Sequence, residues 1–272
     1  MRARFPVLFL AFTSALAPSI GLSARTGVGS GLQAAAPAAA SAKIWEGRNA
    51  EFEAYIRAAE IDHLDDIPLG VTKPKRAFLK PGGLVESVAW KALPPSRQTG
   101  YWESYKSEIA AYELDKLLGI DMVPVAVEKR WKGQTAAAIL WVSPVRPWKE
   151  VQPLPKPPKW NRQAILMKMF DNLIGNPDRN MGNLIVDADW NLFLIDHSRA
   201  FVVTKDLPVK MEHIDRDVWK RMLALDEATL TAALGQWVDR GGIRAVVARR
   251  DKMKAAIDIL IKNSSEAAVF AR

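Results

Sequence analysis

The chain has 272 residues, 49% hydrophobic and 25% charged, which is the balance of a globular protein with enough length for one sizeable core. It contains no cysteine, which excludes disulfides, thiol nucleophiles and cysteine-type zinc sites, and His63, His197 and His213 show no metal-ligand spacing. The net charge is +8, but Arg2, Arg4 and Arg25 stand before residue 43 without any acid, leaving +5 with no dense basic stripe, so nucleic acid is not an expected partner.

Taken in chain order, Arg2 and Arg4 precede an apolar run from Phe5 to Leu22 with small residues at Ala15, Ala17, Ser19, Gly21 and Ala24, the pattern of an export signal over 1–24. An uncleaved membrane anchor is the alternative. Residues 25–43 read as a low-complexity linker. Trp45 to Glu60 predicts a helix with Phe52, Tyr55, Ile56 and Ala59 on one face, and 61–93 predict three short strands. The segment from Ile67 to Leu79 reads as strand, turn, strand, and Gly70 is the residue there that allows close backbone approach to a ligand. Val85 to Lys91 reads as a strand ending in a lysine. Tyr105 to Leu118 predicts an amphipathic helix with Ile109, Tyr112, Leu114, Leu117 and Leu118 as its apolar positions and Gly119 as its stop.

Strands follow over 122–127 and 135–142, then six prolines between Pro144 and Pro158 that suit a connector over 144–160. Asn161 to Ile174 predicts a helix with Ile165, Leu166, Met169, Phe170 and Leu173 facing the core. The C-terminal part reads as helices near 214–225, 227–238 and 243–262, with Gly241-Gly242 separating the last two, and Arg249, Arg250, Lys252 and Lys254 as a solvated face. Strands first and helices last is an α+β layout.

The segment FDNLIGNPDRNMGNLIVDADWNLFLIDHSRAF, residues 170–201, carries the chemistry. Asp178 and Asn183 are five residues apart, and Leu184–Val186 and Leu192–Ile195 flank a turn-like Asp187–Asn191, so a hairpin returns Asp196 to the same point. A carboxylate, an amide and a second carboxylate brought together can orient an attacking hydroxyl and hold a divalent ion on phosphates. No Gly-x-Ser-x-Gly or His-Glu-x-x-His element is present to support hydrolase chemistry.

This segment resembles the atypical branch of the protein-kinase-like fold: HipA-like kinases, Golgi secretory-pathway kinases and phosphatidylinositol 3-/4-kinases. The likeness lies in Gly175-Asn176-Pro177-Asp178-Arg179-Asn180 and in Ile195-Asp196-His197-Ser198-Arg199-Ala200-Phe201. It implies a two-lobed fold with a mostly β N-lobe over 44–143 and a mostly helical C-lobe over 161–272. It also implies that Asp178 is the catalytic acid, Asn183 a metal ligand and Asp196 the metal-binding Asp. Asn180 departs from the usual His, and His197-Ser198 replaces Phe-Gly. The resemblance further implies that Lys91 reaches nucleotide phosphates and is held by Glu108, with Glu113 as the alternative. Gly70 falls where such folds cover the phosphates.

The expectation is an exported, monomeric, ATP- and Mg²⁺- or Mn²⁺-dependent phosphotransferase acting on a protein, lipid-headgroup or glycan hydroxyl. A pseudokinase-like binding module and a different transfer reaction on the same scaffold are the alternatives.

Overall fold

A computed structural model describes residues 42–67, 74–98 and 100–271. The expected export signal, the linker up to residue 41 and Gly70 lie outside the described residues. The end of the expected linker is already part of the fold: Ala42 is buried and its N–H donates to Asp187 Oδ2 at 3.1 Å. Three residues on, buried Trp45 packs on Phe193 with ring centroids 5.7 Å apart.

The N-terminal part begins with α1 (Asn49–Ala58), which buries Phe52 and Ile56 one turn apart. Strands β1 (Ile61–Asp66), β2 (Lys75–Leu79) and β3 (Ser87–Lys91) are followed by a small hairpin of β4 (Ser96–Gln98) and β5 (Tyr101–Glu103). After α2 (Tyr105–Leu118) come β6 (Ala126–Trp131) and β7 (Gln134–Leu140). The main sheet is antiparallel in the order β1-β2-β3-β7-β6. β3 lies in the middle, which buries Lys91 at its end opposite Ala137. Ala136, Ala137 and Ala138 are buried in β7, and Ala137, opposite Lys91, shares the face on which Lys91 meets Glu108 of α2. Ser104 caps the start of α2 by accepting from the Lys106 N–H, and Gly119 ends it with φ +55°, a left-handed conformation that glycine adopts at little cost. Leu117, expected on the apolar face, is exposed. The strand expected from Met122 begins only at Ala126, because Pro124 precedes it and Asp121 turns through a positive φ.

The proline-rich connector is not wholly irregular: it holds a two-residue strand β8 (Arg146–Pro147) and one turn of helix, α3 (Trp148–Val151). Trp148 stacks on Trp160, centroids 4.4 Å apart, which fastens this turn to α4 (Lys159–Ile174). α4 starts two residues earlier than expected and buries Leu166, Met169, Phe170, Leu173 and Ile174, each worth roughly 1.5–3 kcal/mol of apolar burial. β9 (Leu184–Val186) and β10 (Leu192–Leu194) form the expected hairpin, with β8 on the other side of β9.

The chain closes with β11 (Ile214–Asp215), α5 (Arg216–Leu223), α6 (Glu227–Leu234), α7 (Arg240–Asn263), α8 (Glu266–Val269) and β12 (Phe270–Ala271). Two expectations are corrected in α7. Gly241 and Gly242 lie in its first turn, because Asp239 caps it through the Gly242 N–H, and a Cβ on Gly242 would sit 2.8 Å from the Phe201 carbonyl. Arg249 is not on a solvated face. It is fully buried and donates to the carbonyls of Leu173, Val202 and Thr204. Sheet first and helices last make a two-lobed α+β fold.

Candidate active site

The site forms where β3, α2, the loop after α4 and the turn after β10 meet. Lys91 Nζ lies 2.7 Å from Glu108 Oε1 and 2.7 Å from Asp196 Oδ1. Glu113, the alternative partner, instead pairs with Lys116 at 2.8 Å. Burial works against charge on Lys91, yet Glu108 and Asp196 outweigh it and hold its pKa above the ordinary lysine value. Burial likewise pushes Glu108 towards protonation, and Lys91 together with the contacts from His197 reverses the push and holds its carboxyl below the usual range. Lys91 and Glu108 are therefore both ionised at neutral pH.

Asp178 follows α4 on a loop fastened by its own amides. Its N–H donates to Asn176 Oδ1 at 3.2 Å, and its carbonyl accepts from Asn183 Nδ2 at 2.9 Å. The Asn180 amide NH₂ reaches the Asp178 carbonyl and Oδ1 at 3.3 and 3.4 Å. The five-residue spacing is thus a closed loop in which the amide at its end holds the acid at its start. Asp178 Oδ2 accepts from Arg199 Nη1 at 3.0 Å.

Asp196 adopts φ +64°, a left-handed conformation that a short polar side chain tolerates better than most. Ile195 N–H donates to the Asn183 carbonyl at 3.2 Å, so the hairpin returns Asp196 beside Asn183.

Sequence reasoning missed the groups that hold this arrangement. Arg179 donates through Nε and Nη2 to both oxygens of Asp171, through Nη1 to the carbonyls of Asn183 and Ile195, and through Nη2 to His197 Nε2 at 2.8 Å. Arginine only donates, so His197 Nε2 accepts and Nδ1 carries the proton, facing Glu108 Oε2 at 3.7 Å. Burial lowers the His197 pKa and keeps the ring neutral. The available signal was Asp171, an acid between core-facing Phe170 and Leu173 on α4, fully buried in the structure.

The donors fit a hard divalent cation. Asn183 uses its NH₂ internally, which leaves Oδ1 as an acceptor, and Asp196 binds Lys91 through Oδ1, which leaves Oδ2. Among the described residues no group of three or more His, Asp or Glu side chains is placed to hold a metal. An ion on Asn183 and Asp196 would complete its shell with phosphate oxygens and water, the usual arrangement for Mg²⁺ beside a nucleotide. A cleft of about 920 Å³ adjoins the loop at Pro177, lined in part by Tyr101, Trp102, Lys106, Pro177, Arg199 and Val203.

No family model matches this chain, and no curated protein sequence matches it. Solved structures do. A Golgi casein kinase with Mn/ADP bound superposes with a TM-score of 0.62 over 82% of this chain and 78% of that one, at 13% identity. Hydra Fam20 with sugar gives 0.60 over 80% and 90%, at 16% identity. The Helicobacter pylori proinflammatory kinase CtkA gives 0.51 over 76% and 96%, at 14% identity. The fold is that of the atypical protein kinases.

Proposed function

We propose that this chain is an exported phosphotransferase that uses ATP with Mg²⁺ or Mn²⁺ and passes the terminal phosphoryl group to an acceptor hydroxyl. The observation that carries this reading is Lys91, held at 2.7 Å by both Glu108 and Asp196 and so aimed at the junction of β3 and the turn after β10. Lys91 binds nucleotide phosphates, and Glu108 keeps it extended. Asn183 and Asp196 present oxygens to the divalent ion, which when bound neutralises charge on the phosphates. Asp178 orients the acceptor hydroxyl and takes its proton as the oxygen–phosphorus bond forms. The bond to the leaving nucleoside diphosphate then breaks, and its electron pair stays on the β-phosphate oxygen. The structural neighbour with Mn/ADP bound supports nucleotide and metal use, and Arg2 and Arg4 ahead of the apolar run to Leu22 support export.

The test is transfer of label from ATP, with each metal, to an extract from the protein's own compartment. Asp178→Asn should bind nucleotide nearly as well as wild type and transfer orders of magnitude more slowly. Wild-type protein that binds ATP but transfers no label with either metal would be a kinase-like binding module instead.

A further inference from the structure

Arg199 occupies a position that the role of Asp178 alone does not require. Its Nη1 donates to Asp178 Oδ2 at 3.0 Å and its Nε to Glu103 Oε1 at 2.7 Å. Its guanidinium carbon lies 4.5 Å from the Tyr101 ring centre, a cation–π contact. Glu103 is 3% exposed, so its charge is buried and Arg199 is the cation that compensates it. The guanidinium is therefore fixed from three directions rather than waving in solvent. Neighbouring backbone adds to this: Ser104 N–H donates to the Ser198 carbonyl at 2.9 Å, and Ser107 Oγ to the Ala200 carbonyl at 3.2 Å.

A guanidinium has five N–H groups, and two of them are used in these bonds. Two of the remaining three are on Nη2, which is not buried, and Arg199 lines the cleft together with Pro177, the residue before Asp178. The charges of Asp178, Glu103 and Asp196 all act on it, and they hold its pKa above the usual arginine value although burial opposes this. Unspent donors thus lie on the guanidinium that Asp178 holds at 3.0 Å, with the charge of Asp196 also acting on it.

We propose that Arg199 is a further catalytic residue, an in-chain cation that meets the transferring phosphoryl group from the acceptor side, with Glu103 as its positioning residue. The inference rests on the phosphotransferase reading. Holding Asp178 by Oδ2 leaves Oδ1, which carries only the long 3.4 Å contact from Asn180, to accept from the acceptor hydroxyl. The unspent guanidinium N–H groups stabilise charge on the phosphoryl oxygens as the bonds exchange.

The experiment uses the full chain and measures binding of ADP and Mg²⁺ by calorimetry with and without aluminium fluoride, a mimic of the phosphoryl group in flight. Wild type should bind ADP more tightly with fluoride. Arg199→Ala should bind ADP itself within about twofold of wild type but lose that tightening, and its kcat should fall roughly 10²- to 10³-fold with little change in nucleotide KM. Arg199→Lys keeps a cation for Glu103 and preserves the fold if the alanine variant does not. It should recover only part of the tightening, because it lacks the fork. Glu103→Gln should lie between wild type and Arg199→Ala. Retention of the fluoride-dependent tightening and of kcat in both Arg199 variants would reduce the residue to a structural tie. If wild-type protein binds ADP but shows neither tightening nor transfer, the phosphotransferase reading itself fails, and this role fails with it.

Discussion

The backbone N–H of His197 donates to Glu108 Oε2 at 3.0 Å, the second oxygen of the carboxylate whose first oxygen holds Lys91. Residue 197 follows Asp196 directly, so the turn that presents Asp196 is bonded to the helix that presents Glu108. The imidazole is in turn held by Arg179 and lies edge-on to Phe170 at 6.1 Å. A phenylalanine could fill this apolar contact but could not accept from Arg179. The histidine is therefore part of a polar chain running from Asp171 through Arg179 to Glu108, which ties the two lobes together behind the site.

Breaking that chain at its buried end should be costly. Asp171→Asn leaves the Arg179 guanidinium, whose side chain is 5% exposed, without its carboxylate. Removing one partner of a buried ion pair costs about 3–5 kcal/mol. For a domain of this size that corresponds to a fall in Tm of about 6–20 °C. Arg179→Lys should lose nearly as much, because lysine cannot bond both oxygens of Asp171 and two carbonyls at once. Thermal denaturation checks both variants, and a change of less than about 1 kcal/mol in Asp171→Asn would show that the pair contributes little.

Close packing behind the loop gives a second stability prediction. Gly175 ends α4 with φ +63°, and a Cβ there would sit 2.7 Å from the Arg249 guanidinium carbon. Gly175→Ala combines left-handed strain with this clash and should destabilise by about 1–3 kcal/mol or more. Combining it with Arg249→Ala should relieve the clash, so the double variant should lose less than the two single losses added together. Strict additivity in urea denaturation would mean that the two residues do not press on each other.

How much of this was legible in the sequence depended on whether the deciding contact was local. The helix ending at Gly119 and the hairpin that returns Asp196 follow from periodicity and turn residues within about twenty positions, and both are present. Arg249 was misread because its neighbours Arg250, Lys252 and Lys254 suggest a wet face. Its burial is decided by carbonyls at Leu173, Val202 and Thr204, far away in the chain. Gly241-Gly242 was misread as a break because glycine marks both helix ends and close approaches, and here the approach to Phe201 governs. Arg179, Asp171, Glu103 and Arg199 are charged residues that composition assigns to solvent. Only the folded chain shows that three of their carboxylate–guanidinium contacts lie behind or beside the site.

The metal site makes a linkage prediction. ADP with Mg²⁺ or Mn²⁺ should stabilise the protein by about 2.7 kcal/mol at a hundredfold excess over Kd. Asp196→Asn should abolish most of the part that depends on metal, since a neutral amide attracts a divalent cation far less. It should also loosen Lys91, which loses one of its two carboxylates. Thermal shifts with nucleotide alone and with each metal separate the two effects. Equal metal-dependent shifts in wild type and variant would remove Asp196 from the ligand set.

Export is tested apart from the fold. Residues 1–42 fused to a reporter should carry it out of the cytoplasm, and replacing Arg2 and Arg4 by glutamate should reduce this, because the charged start of a signal is read together with its apolar run. An unprocessed fusion retained in the cytoplasm would count against the reading.

Asp115 carries the clearest dependence on pH. It lies fully buried on α2, and burial pushes its carboxyl up to about 7, while the Met122 N–H, which donates to Oδ1 at 3.2 Å, opposes the shift only in part. An unfolded aspartate titrates near about 3.9. Between these values the folded protein keeps a proton that the unfolded chain has lost, so unfolding releases a proton and rising pH favours it. The contribution is fully present below about pH 4, declines through the interval and is gone above about pH 7, with a total of at most about 4 kcal/mol. Asp115→Asn should retain the acceptor for Met122 while removing the titration. Its stability should match wild type near pH 4 and exceed it at pH 8, with the difference growing in between. Urea denaturation of both proteins at intervals from pH 4 to pH 8 measures this, since the other titrating groups are shared and cancel. Parallel stability curves would show that Asp115 stays ionised in the folded protein throughout.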